Sequence, residues 1–392
     1  MFRRRAAVLA ALLAVGTLAP AGRAAADDPF PVPDTATITI EGDGSGHGKG
    51  LSQYGAYGAA RQGLAFGAIL SFYYPGTRAG RTAGKVAVLI SADDDRDVVV
   101  GATKGLTLHA VSSGRTWRLQ EPRATRWRIR PAGSGRSEIS YRTGSWHRWK
   151  VVAGDAELGA GGSALALRTP TGTVRYRGVL RSTHQDGERV TVNILPMEAY
   201  LRGVVPAEVA AASWPQQAMR AQAVAARTYA AYERQHSGSR AYDLCDTAEC
   251  QAYGGASAEF PTSDTAVART AGRILTYQGK TAFAQYSASN GGWTVDGGEP
   301  YLVARKDPYE GSSPDYYGWT AEVTARQIER AYNIDNLSSI AIETRDGRGP
   351  RGGRVEMVRL DSATGWTGTV TGDSFRRNFG LRSTLFEFVS VG

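Results

Sequence analysis

The chain has 392 residues, a formal net charge of +9 and 42% hydrophobic residues, so its length allows one large or two ordinary domains with a substantial core. The basic residues form no dense block interleaved with aromatic residues, which argues against nucleic acid as a partner. The 48 glycines are dispersed and no period typical of solenoid repeats occurs, so we expect a turn-rich globular protein.

Residues 1–26 have the organisation of a secretory signal peptide. A basic front (Arg3 to Arg5) precedes an apolar run over residues 6–18 and three small residues at 24–26. The run is shorter than the roughly 20 residues that a membrane span needs, and no later segment is long and apolar enough to span. Without the four arginines of this segment, 42 Lys and Arg face 37 acidic residues, which gives a net charge of +5. We therefore expect an exported protein with no membrane span in the mature chain.

The amino-terminal region changes from a proline-rich lead to a glycine-rich segment. Residues 27–35 are predicted to be disordered, and a strand is predicted over residues 36–41. The next segment, residues 42–77, places four glycines around His47, and these permit unusual backbone angles and close approach of a ligand. Helices are expected in two parts of this segment, over residues 51–62 and 66–73.

Short runs of alternating apolar and polar residues fill residues 85–193, separated by turn residues, as is typical of antiparallel strands. Residues 103–161 are predicted to form a small antiparallel β subdomain inserted in the fold. Tryptophans of this subdomain have two alternative roles, stacking on sugar rings or filling a small core, and we favour the core. They are Trp117, Trp127, Trp146 and Trp149.

The most informative stretch contains the string GVVPAE, which places one carboxylate, Glu208, among apolar residues. Pro206 is typical of the first turn of a short helix. A longer helix is predicted to start at Ser213, because Ser213 and Gln216 fit an S-x-x-Q capping box. The alanine-rich body of this helix, residues 218–232, favours helix formation and allows close packing, so we expect it to act as a scaffold.

The chain has two cysteines, Cys245 and Cys250. In an exported protein such a pair is predicted to form a local disulfide. The alternative is a metal site that uses both thiolates and His236. A structural zinc site needs four ligands and only these three are nearby, so we predict the disulfide and no metal.

The carboxy-terminal part alternates helix and strand signals. Helices are expected over residues 263–271, 320–332 (with Thr324 as cap) and 373–379. Strands are expected over residues 273–277, 281–287, 340–344, 355–360 and 368–371. Together with the β-rich middle, these signals predict an α+β fold, namely a β-rich mixed fold with an alanine-rich scaffold helix beside a substrate cleft.

Three strings of this sequence resemble one protein family. They run from YLRGVVPAE to AQAVAARTYA (residues 200–230), from GHGKGLSQYGA to ILSFYYPGT (46–77) and over SASNGGWT (287–294). They are similar to motifs of the stage II sporulation protein D (SpoIID/LytB) family, with Lys49 where the family commonly has an apolar residue. The resemblance implies a SpoIID/LytB-like domain over residues 36–392. The family includes peptidoglycan lytic transglycosylases, so it also implies a secreted, cell wall-associated protein whose PAE glutamate, Glu208, is the catalytic acid.

The order of these motifs differs from the family pattern. The glycine-rich segment 42–77 ordinarily follows the carboxy-terminal strand of the domain, whereas here it precedes the other motifs. The string NFGLRSTLFEF (378–388) resembles the strand that ordinarily comes before it. A permuted order requires residues 38–41 and 385–389 to lie close together, and the alternative is two unrelated edge strands.

A lytic transglycosylase needs a single carboxyl group. The 6-hydroxyl of N-acetylmuramic acid attacks its own C1, so one residue protonates the leaving oxygen and accepts the hydroxyl proton. A hydrolase ordinarily needs two carboxylates. Apolar neighbours raise the pKa of Glu208, whereas a first-turn position would favour the anion through the helix dipole. Glu198 is the obvious second acid, but turn contacts explain it equally well.

Polar residues in family-like turns form the predicted substrate-binding set. Arg227 has two alternative roles, holding a carboxylate or acetamido group of the substrate or pairing with a core carboxylate. His47 is either part of the cleft or a glycine-loop histidine with no role. The full set is Arg227, Gln251, Tyr253, Ser287, Ser289, Asn290, Thr294, His47, Gln53 and Tyr54.

Functions of different classes follow from the resemblance. The first is a secreted lytic transglycosylase that cleaves the MurNAc-GlcNAc bond of peptidoglycan glycan strands with one general acid and base, Glu208, and forms 1,6-anhydro-MurNAc ends. The alternative is a non-catalytic cell-wall-binding module that stimulates a peptidoglycan amidase. A simple glycoside hydrolase is a third reading and predicts reducing ends. No cofactor is predicted, because no P-loop or dinucleotide-binding fingerprint occurs in a strand–turn–helix context.

Overall fold

The computed structural model describes residues 27–133, 135–311 and 314–392, so the predicted signal peptide, residues 1–26, lies outside the described residues. The described chain packs as two compact units. The larger is Gly42–Trp319, and the smaller combines residues 27–41 with Thr320–Gly392. Both helices and sheets contribute to each unit, which confirms the predicted α+β class.

The α-helices of the described residues are α1 (Gln53–Arg61), α2 (Phe66–Tyr73), α3 (Met197–Glu208), α4 (Gln216–His236), α5 (Pro261–Arg269), α6 (Ala325–Tyr332) and α7 (Gly372–Asn378). Their positions agree with the sequence prediction to within a few residues, apart from α3. Thr324 caps α6 as predicted, since its side chain accepts a hydrogen bond from the backbone N–H of Gln327. No helix in the described ranges has the length and apolar character that a membrane crossing requires.

The strands are short, as the alternating runs predict. In chain order they are β1 (Phe30–Pro31), β2 (Thr37–Gly42), β3 (Leu51–Ser52), β4 (Arg78–Arg81), β5 (Lys85–Leu89), β6 (Val98–Gly101), β7 (Thr107–Ala110), β8 (Arg115–Arg118), β9 (Arg126–Pro131), β10 (Arg136–Arg142), β11 (Trp146–Ala153), β12 (Ala156–Gly159), β13 (Leu165–Thr169), β14 (Gly172–Tyr176), β15 (Val179–Gln185), β16 (Glu188–Pro196), β17 (Leu244–Cys245), β18 (Arg273–Tyr277), β19 (Lys280–Thr281), β20 (Tyr286–Ser287), β21 (Trp319–Thr324), β22 (Leu337–Arg345), β23 (Val355–Ser362), β24 (Thr367–Thr371) and β25 (Phe386–Val391).

Two large sheets dominate the larger unit. A seven-stranded sheet has the order β17-β5-β16-β15-β12-β7-β8, and a six-stranded sheet has the order β11-β10-β9-β6-β13-β14. Their pairs are antiparallel, as predicted, except that β17 runs parallel to β5. Smaller sheets, β19-β18-β4 and β20-β3, join the glycine-rich segment to the region after α4.

The tryptophans of the β region pack mainly in its core. Trp127 is 1% exposed, and Trp149 meets it edge to face with ring centroids 5.8 Å apart. Trp117 is partly buried against the same core, and the guanidinium of Arg128 lies over the ring of Trp146. The core role is therefore confirmed for Trp127.

The smaller unit joins the two ends of the described chain. One sheet has the order β1-β22-β23-β24, and another places β2 beside β25 in the order β21-β2-β25. Thr37 and Gly392 exchange backbone hydrogen bonds of 2.8 and 3.1 Å. The predicted proximity of residues 38–41 and 385–389 is thus confirmed, while the permuted motif order itself stays a prediction.

The boundary between α3 and α4 differs from the sequence prediction. Pro206 lies inside the last turn of α3 rather than in a first turn, and α3 ends at Glu208. The predicted capping box at Ser213 is also wrong, because α4 begins at Gln216 behind Pro215. At this position Pro206 has no N–H to donate to the carbonyl of Arg202 and its ring crowds that carbonyl, which is consistent with the end of α3 two residues later.

Candidate active site

A cavity of about 300 Å³ opens in the larger unit around the carboxyl group of Glu208. Its wall combines the glycine-rich segment, the end of α3, the disulfide loop and β20. Its lining residues are Ser45, Gly46, His47, Gln53, Glu208, Tyr229, Ala248, Glu249, Cys250, Gln285, Tyr286, Ser287 and Ala288. None of these described residues is a lysine or arginine, so no such cation in the lining stabilises the carboxylate of Glu208 and lowers its pKa.

Hydrogen-bond donors hold the carboxyl group of Glu208. Gln53 Nε2 donates to Oε2 at 2.9 Å, and the backbone N–H of Ala252 donates to Oε1 at 2.8 Å. The hydroxyl of Tyr286 lies near this carboxyl group and favours its charged form. The orientation of the group is therefore fixed from both of its oxygens.

The pKa of Glu208 is raised above its ordinary value, chiefly because burial penalises the charged form. The bonds from Gln53 and Ala252 and the nearby hydroxyl of Tyr286 favour the anion and offset part of this increase. The sequence analysis predicted that the helix dipole would favour the Glu208 anion, and the structure corrects this prediction. Glu208 is the last residue of α3, where the partial negative charge of the helix end disfavours an anion and adds to the effect of burial.

A chain of hydroxyl and amide groups orients Tyr286. Tyr200 donates its hydroxyl hydrogen to Gln251 Oε1 at 3.0 Å, and Gln251 Nε2 donates to the Tyr286 oxygen at 2.9 Å. Because that oxygen accepts from Gln251, the Tyr286 hydrogen is directed away from Gln251. The sequence analysis predicted that Gln251 binds substrate. Its side chain is 1% exposed, so it supports Tyr286 from inside the protein instead.

Glycines let the amino-terminal segment approach the cavity floor closely. The backbone N–H of Gly48 donates to Ser287 Oγ at 3.1 Å. A Cβ at Gly46, whose φ is +91°, would lie 2.7 Å from the Ser287 Cβ. A Cβ at Gly50 would lie 2.1 Å from the carbonyl oxygen of Gln285. The glycine pattern around His47 is therefore required by this contact, as the sequence indicates.

Four of the predicted site residues line the cavity: Glu208, His47, Gln53 and Ser287. Nδ1 of His47 accepts a hydrogen bond from the backbone N–H of Lys49 at 3.0 Å. This bond assigns the ring hydrogen of a neutral His47 to Nε2. Of the two alternatives for His47, the structure thus supports a place in the cleft.

Arg227 lies in the core, and its predicted role as a substrate ligand is corrected. Its side chain is fully buried and forms a bidentate pair with Glu198, with N–O distances of 2.9 and 2.7 Å. It also donates to the backbone oxygens of Val267 and Arg273. The second predicted role, pairing with a core carboxylate, is the one observed, and Glu198 stands outside the cavity lining.

Other predicted binding residues are structural in the described chain. Tyr253 is 6% exposed and donates to Asn193 Oδ1 at 2.8 Å. Ser289, Asn290 and Thr294 are at most 2% exposed, so burial removes them from direct contact with a substrate. Thr294 Oγ1 bonds to the backbone of Val303 at 2.8 Å, which closes its turn.

Tyr54 lies beside the cavity in a group of aromatic side chains. Its ring centroid is 5.2 Å from that of Trp214, 6.2 Å from that of Tyr57 and 4.9 Å from that of Tyr316. Its backbone N–H bonds to the carbonyl of Ala288, a residue of the cavity wall, at 3.0 Å. Tyr54 therefore adjoins the lining without belonging to it.

The sequence analysis missed several residues of the cavity. Tyr229 is part of the AQAVAARTYA string, and Tyr286 comes directly before the SASNGGWT string, so both tyrosines lie in or next to the motifs. Glu249 is an exposed second carboxylate of the lining, and its position between the cysteines gave no indication of this role.

A second buried carboxyl group, Glu310, lies behind the cavity wall. It bonds to the hydroxyls of Ser52 and Ser289, the latter at 2.8 Å. Burial raises its pKa to about 7, and the neighbouring Asp307 adds to the increase. Only tertiary contacts reveal Glu310, because no family-like string contains it.

Cys245 and Cys250 form a disulfide, as predicted. His236, the third ligand of the alternative metal site, stacks on Tyr232 with ring centroids 4.0 Å apart. Among the described residues, no group of three or more His, Cys, Asp or Glu side chains is arranged to hold a metal ion.

Comparison with known proteins agrees with the motifs. Residues 185–277 match the family model described as SpoIID, stage II sporulation protein. The chain is 39% identical over 135 residues to the Amidase enhancer of Bacillus subtilis (strain 168), covering 33% of this chain and 17% of that protein. It is 29% identical over 236 residues to Stage II sporulation protein D of the same organism, covering 55% of this chain and 65% of the relative.

An uncharacterized protein of Brachyspira hyodysenteriae is 29% identical over 201 residues, which cover 48% of this chain and 53% of the relative. The matches thus span less than two thirds of each relative's length. No solved structure matches significantly. The family match over residues 185–277 and the relatives named Stage II sporulation protein D support the SpoIID family.

Proposed function

We propose that the protein is a secreted peptidoglycan lytic transglycosylase that cleaves the MurNAc-GlcNAc bond. One observation carries the proposal: Glu208 is a buried carboxyl group on a cavity wall, with a raised pKa and donors on both oxygens. A raised pKa favours the protonated form, which is the form that a general acid needs. Membership of the SpoIID family and a relative named Amidase enhancer support a role at the cell wall.

The reaction needs no nucleophile from the protein. Glu208 gives its proton to the glycosidic oxygen as the bond between that oxygen and C1 of MurNAc breaks. The 6-hydroxyl oxygen of the same MurNAc then bonds to C1, and its proton passes to the Glu208 carboxylate. Gln53, Tyr286 and the Ala252 N–H stabilise the carboxylate while it lacks the proton. The products are a 1,6-anhydro-MurNAc end and a free GlcNAc hydroxyl, with no water consumed.

Two observations support other functions. The relative named Amidase enhancer favours a non-catalytic module that binds the wall and stimulates an amidase, and in that case Glu208 would be dispensable. Glu249 supplies a second carboxylate on the cavity lining, which a hydrolase needs to activate water.

Mass spectrometry of digests of peptide-free glycan strands tests these functions together. We expect wild type to release products lighter by one water than the hydrolysis products, Glu208→Gln to release none, and Glu249→Gln to retain the anhydro ends. Loss of rate in Glu208→Gln should be about 10²- to 10⁴-fold. Reducing ends that disappear in Glu249→Gln would instead establish a hydrolase. Unchanged stimulation of an amidase by Glu208→Gln, with no glycan cleavage by wild type, would establish the binding module.

Export to the cell wall is part of the proposal. It rests on the sequence of residues 1–26 and on the substrate. Fractionation of cells that express the full chain, with detection of the processed amino terminus, tests it. Retention of the unprocessed chain in the cytoplasm would contradict it.

A further inference from the structure

Beside the cavity, four aromatic side chains form a cluster that the reaction does not use. We name Tyr54, Tyr57, Trp214 and Tyr316 the aromatic cluster. Trp214 connects two of the tyrosines, because its ring centroid lies 5.2 Å from both Tyr54 and Tyr57. Tyr316 packs edge to face on Tyr54 at 4.9 Å. All four side chains are partly exposed, so the cluster presents ring surface to solvent.

The position of the cluster follows from the residues that hold Glu208. Tyr54 and Tyr57 lie in the first turns of α1, whose first residue, Gln53, donates to Glu208. Gln53 and Tyr57 are four residues apart and share one face of that helix. Trp214 lies in the connection between Glu208 and α4. The chain segment that bears Tyr54 and Tyr57 and the one that bears Trp214 therefore both start at the hydrogen bond between Gln53 and Glu208.

We infer that the aromatic cluster is a sugar-binding subsite, which stacks a pyranose ring of the glycan strand next to the bond cleaved at Glu208. This inference rests on the proposed function and deepens it. A pyranose presents a face of C–H groups with hydroxyls at its rim. Aromatic rings with polar tips, as in Tyr and Trp, match both features, since they combine apolar area with hydrogen-bonding groups. Continuity with the cavity makes a longer glycan the occupant, because a strand seated at Glu208 extends beyond a space of about 300 Å³.

Binding of glycans of different length to the full chain carrying Glu208→Gln tests the subsite, because this variant retains the cavity but does not consume the ligand. The ligands are peptide-free GlcNAc-MurNAc strands of two, four and eight sugars, measured by calorimetry. We expect Trp214→Ala and Tyr57→Ala to weaken binding of the longer strands by about 2- to 13-fold each. Binding of the disaccharide should change less, because it fills only the cavity.

Matched controls separate stacking from folding. Trp366 lies directly before β24 in the smaller unit, and 45% of it is exposed. Trp366→Ala therefore removes a tryptophan that is not part of the aromatic cluster. Trp214→Phe retains a ring and should keep most of the length dependence even if Trp214→Ala unfolds. In the active protein, Tyr57→Ala should raise KM for long strands more than it lowers kcat, whereas Trp214→Phe should change KM much less.

Several outcomes would overturn the inference. One is that the cluster variants bind strands of every length as tightly as the protein with an intact cluster. Another is that Trp366→Ala weakens binding of long strands as much as the cluster variants do. A loss seen only with strands that carry stem peptides would assign the cluster to peptide instead. Failure of the proposed function looks different, because wild type would then form no anhydro ends while Trp214→Ala still weakened binding of long strands.

Discussion

The two ends of α3 carry the same kind of side chain in opposite environments. Glu198, in the first turn, forms a bidentate pair with the buried guanidinium of Arg227 and accepts the Gly272 N–H at 3.0 Å. Glu208, the last residue, has no cation among the residues of its cavity and accepts only from neutral donors. The helix dipole favours an anion at the first position and disfavours one at the last.

This difference explains how one helix supports both structure and chemistry. The bidentate pair between Glu198 and Arg227 holds α3 to α4. A glutamate without a cationic partner retains its proton more readily, which the raised pKa of Glu208 reflects. The neighbouring charges, rather than residue type or helix membership, therefore distinguish the structural acid from the candidate catalytic one.

Removal of Arg227 should produce the largest loss of stability. Arg227→Leu leaves Glu198 without its cationic partner and removes one hydrogen-bond donor from each of the carbonyls of Val267 and Arg273. Breaking a buried pair costs about 3–5 kcal/mol, and since the Glu198 side chain is 40% exposed we expect the lower end, about 3 kcal/mol. Urea unfolding followed by circular dichroism measures the change. Arg269→Leu, at an exposed position on α5, is the control and should cost less than about 0.5 kcal/mol. Equal losses in the two variants would contradict this role of Arg227.

A second contrast concerns Glu310, a buried acid that also lacks a cationic partner among its described contacts. Its pKa of about 7 in the folded protein exceeds the ordinary value of 4.5, so the folded state holds the proton more tightly than the unfolded state. Its contribution to stability is therefore complete below pH 4.5 and is lost as the pH rises through about 7. Relative to wild type, Glu310→Gln should become more stable by about 2–3 kcal/mol between pH 5 and pH 8.

Chemical unfolding of wild type and Glu310→Gln at four pH values measures this difference. Glu249→Gln is the matched control, because Glu249 is exposed, and its difference from wild type should stay constant with pH. A pH-independent difference for Glu310→Gln would show that Glu310 titrates at its ordinary value.

The sequence predicted most elements because their signals are local. The capping box of Thr324 and the helix at Phe66–Tyr73 depend on a few neighbouring residues, and both appear as expected. Pro206 misled the prediction because proline is favoured in the first turn of a helix, whereas here it lies close to the end of one, which proline also helps to terminate. That single choice of helix end reversed the expected effect of the dipole on Glu208.

The site was predictable only in part, because a polar residue in a turn can serve either a ligand or the fold. Glu208, Gln53, His47 and Ser287 meet at one cavity, as their motifs suggested. Gln251, from equally promising strings, has all its bonds within the protein. Tertiary contacts decide between these uses, and residue type or spacing does not encode them.

The smallest predicted effect concerns Gln53, which donates a hydrogen bond to Glu208 at the end of α3. Gln53→Leu removes a neutral donor that favours the Glu208 anion, so the pKa of Glu208 should rise further. Activity requires the protonated acid and is lost as the pH rises above that pKa, so the basic limb of kcat/KM should move to higher pH. The rate at the optimum should fall about 3- to 10-fold, because the donor no longer stabilises the carboxylate that forms after proton transfer.

Gln285→Leu is the control from the same cavity, since the hydrogen bonds of Glu208 come from Gln53 and Ala252 and not from Gln285. A basic limb that moves to lower pH in Gln53→Leu, or that moves equally in Gln285→Leu, would mean that another group sets the pH dependence and that the proton comes from elsewhere than Glu208.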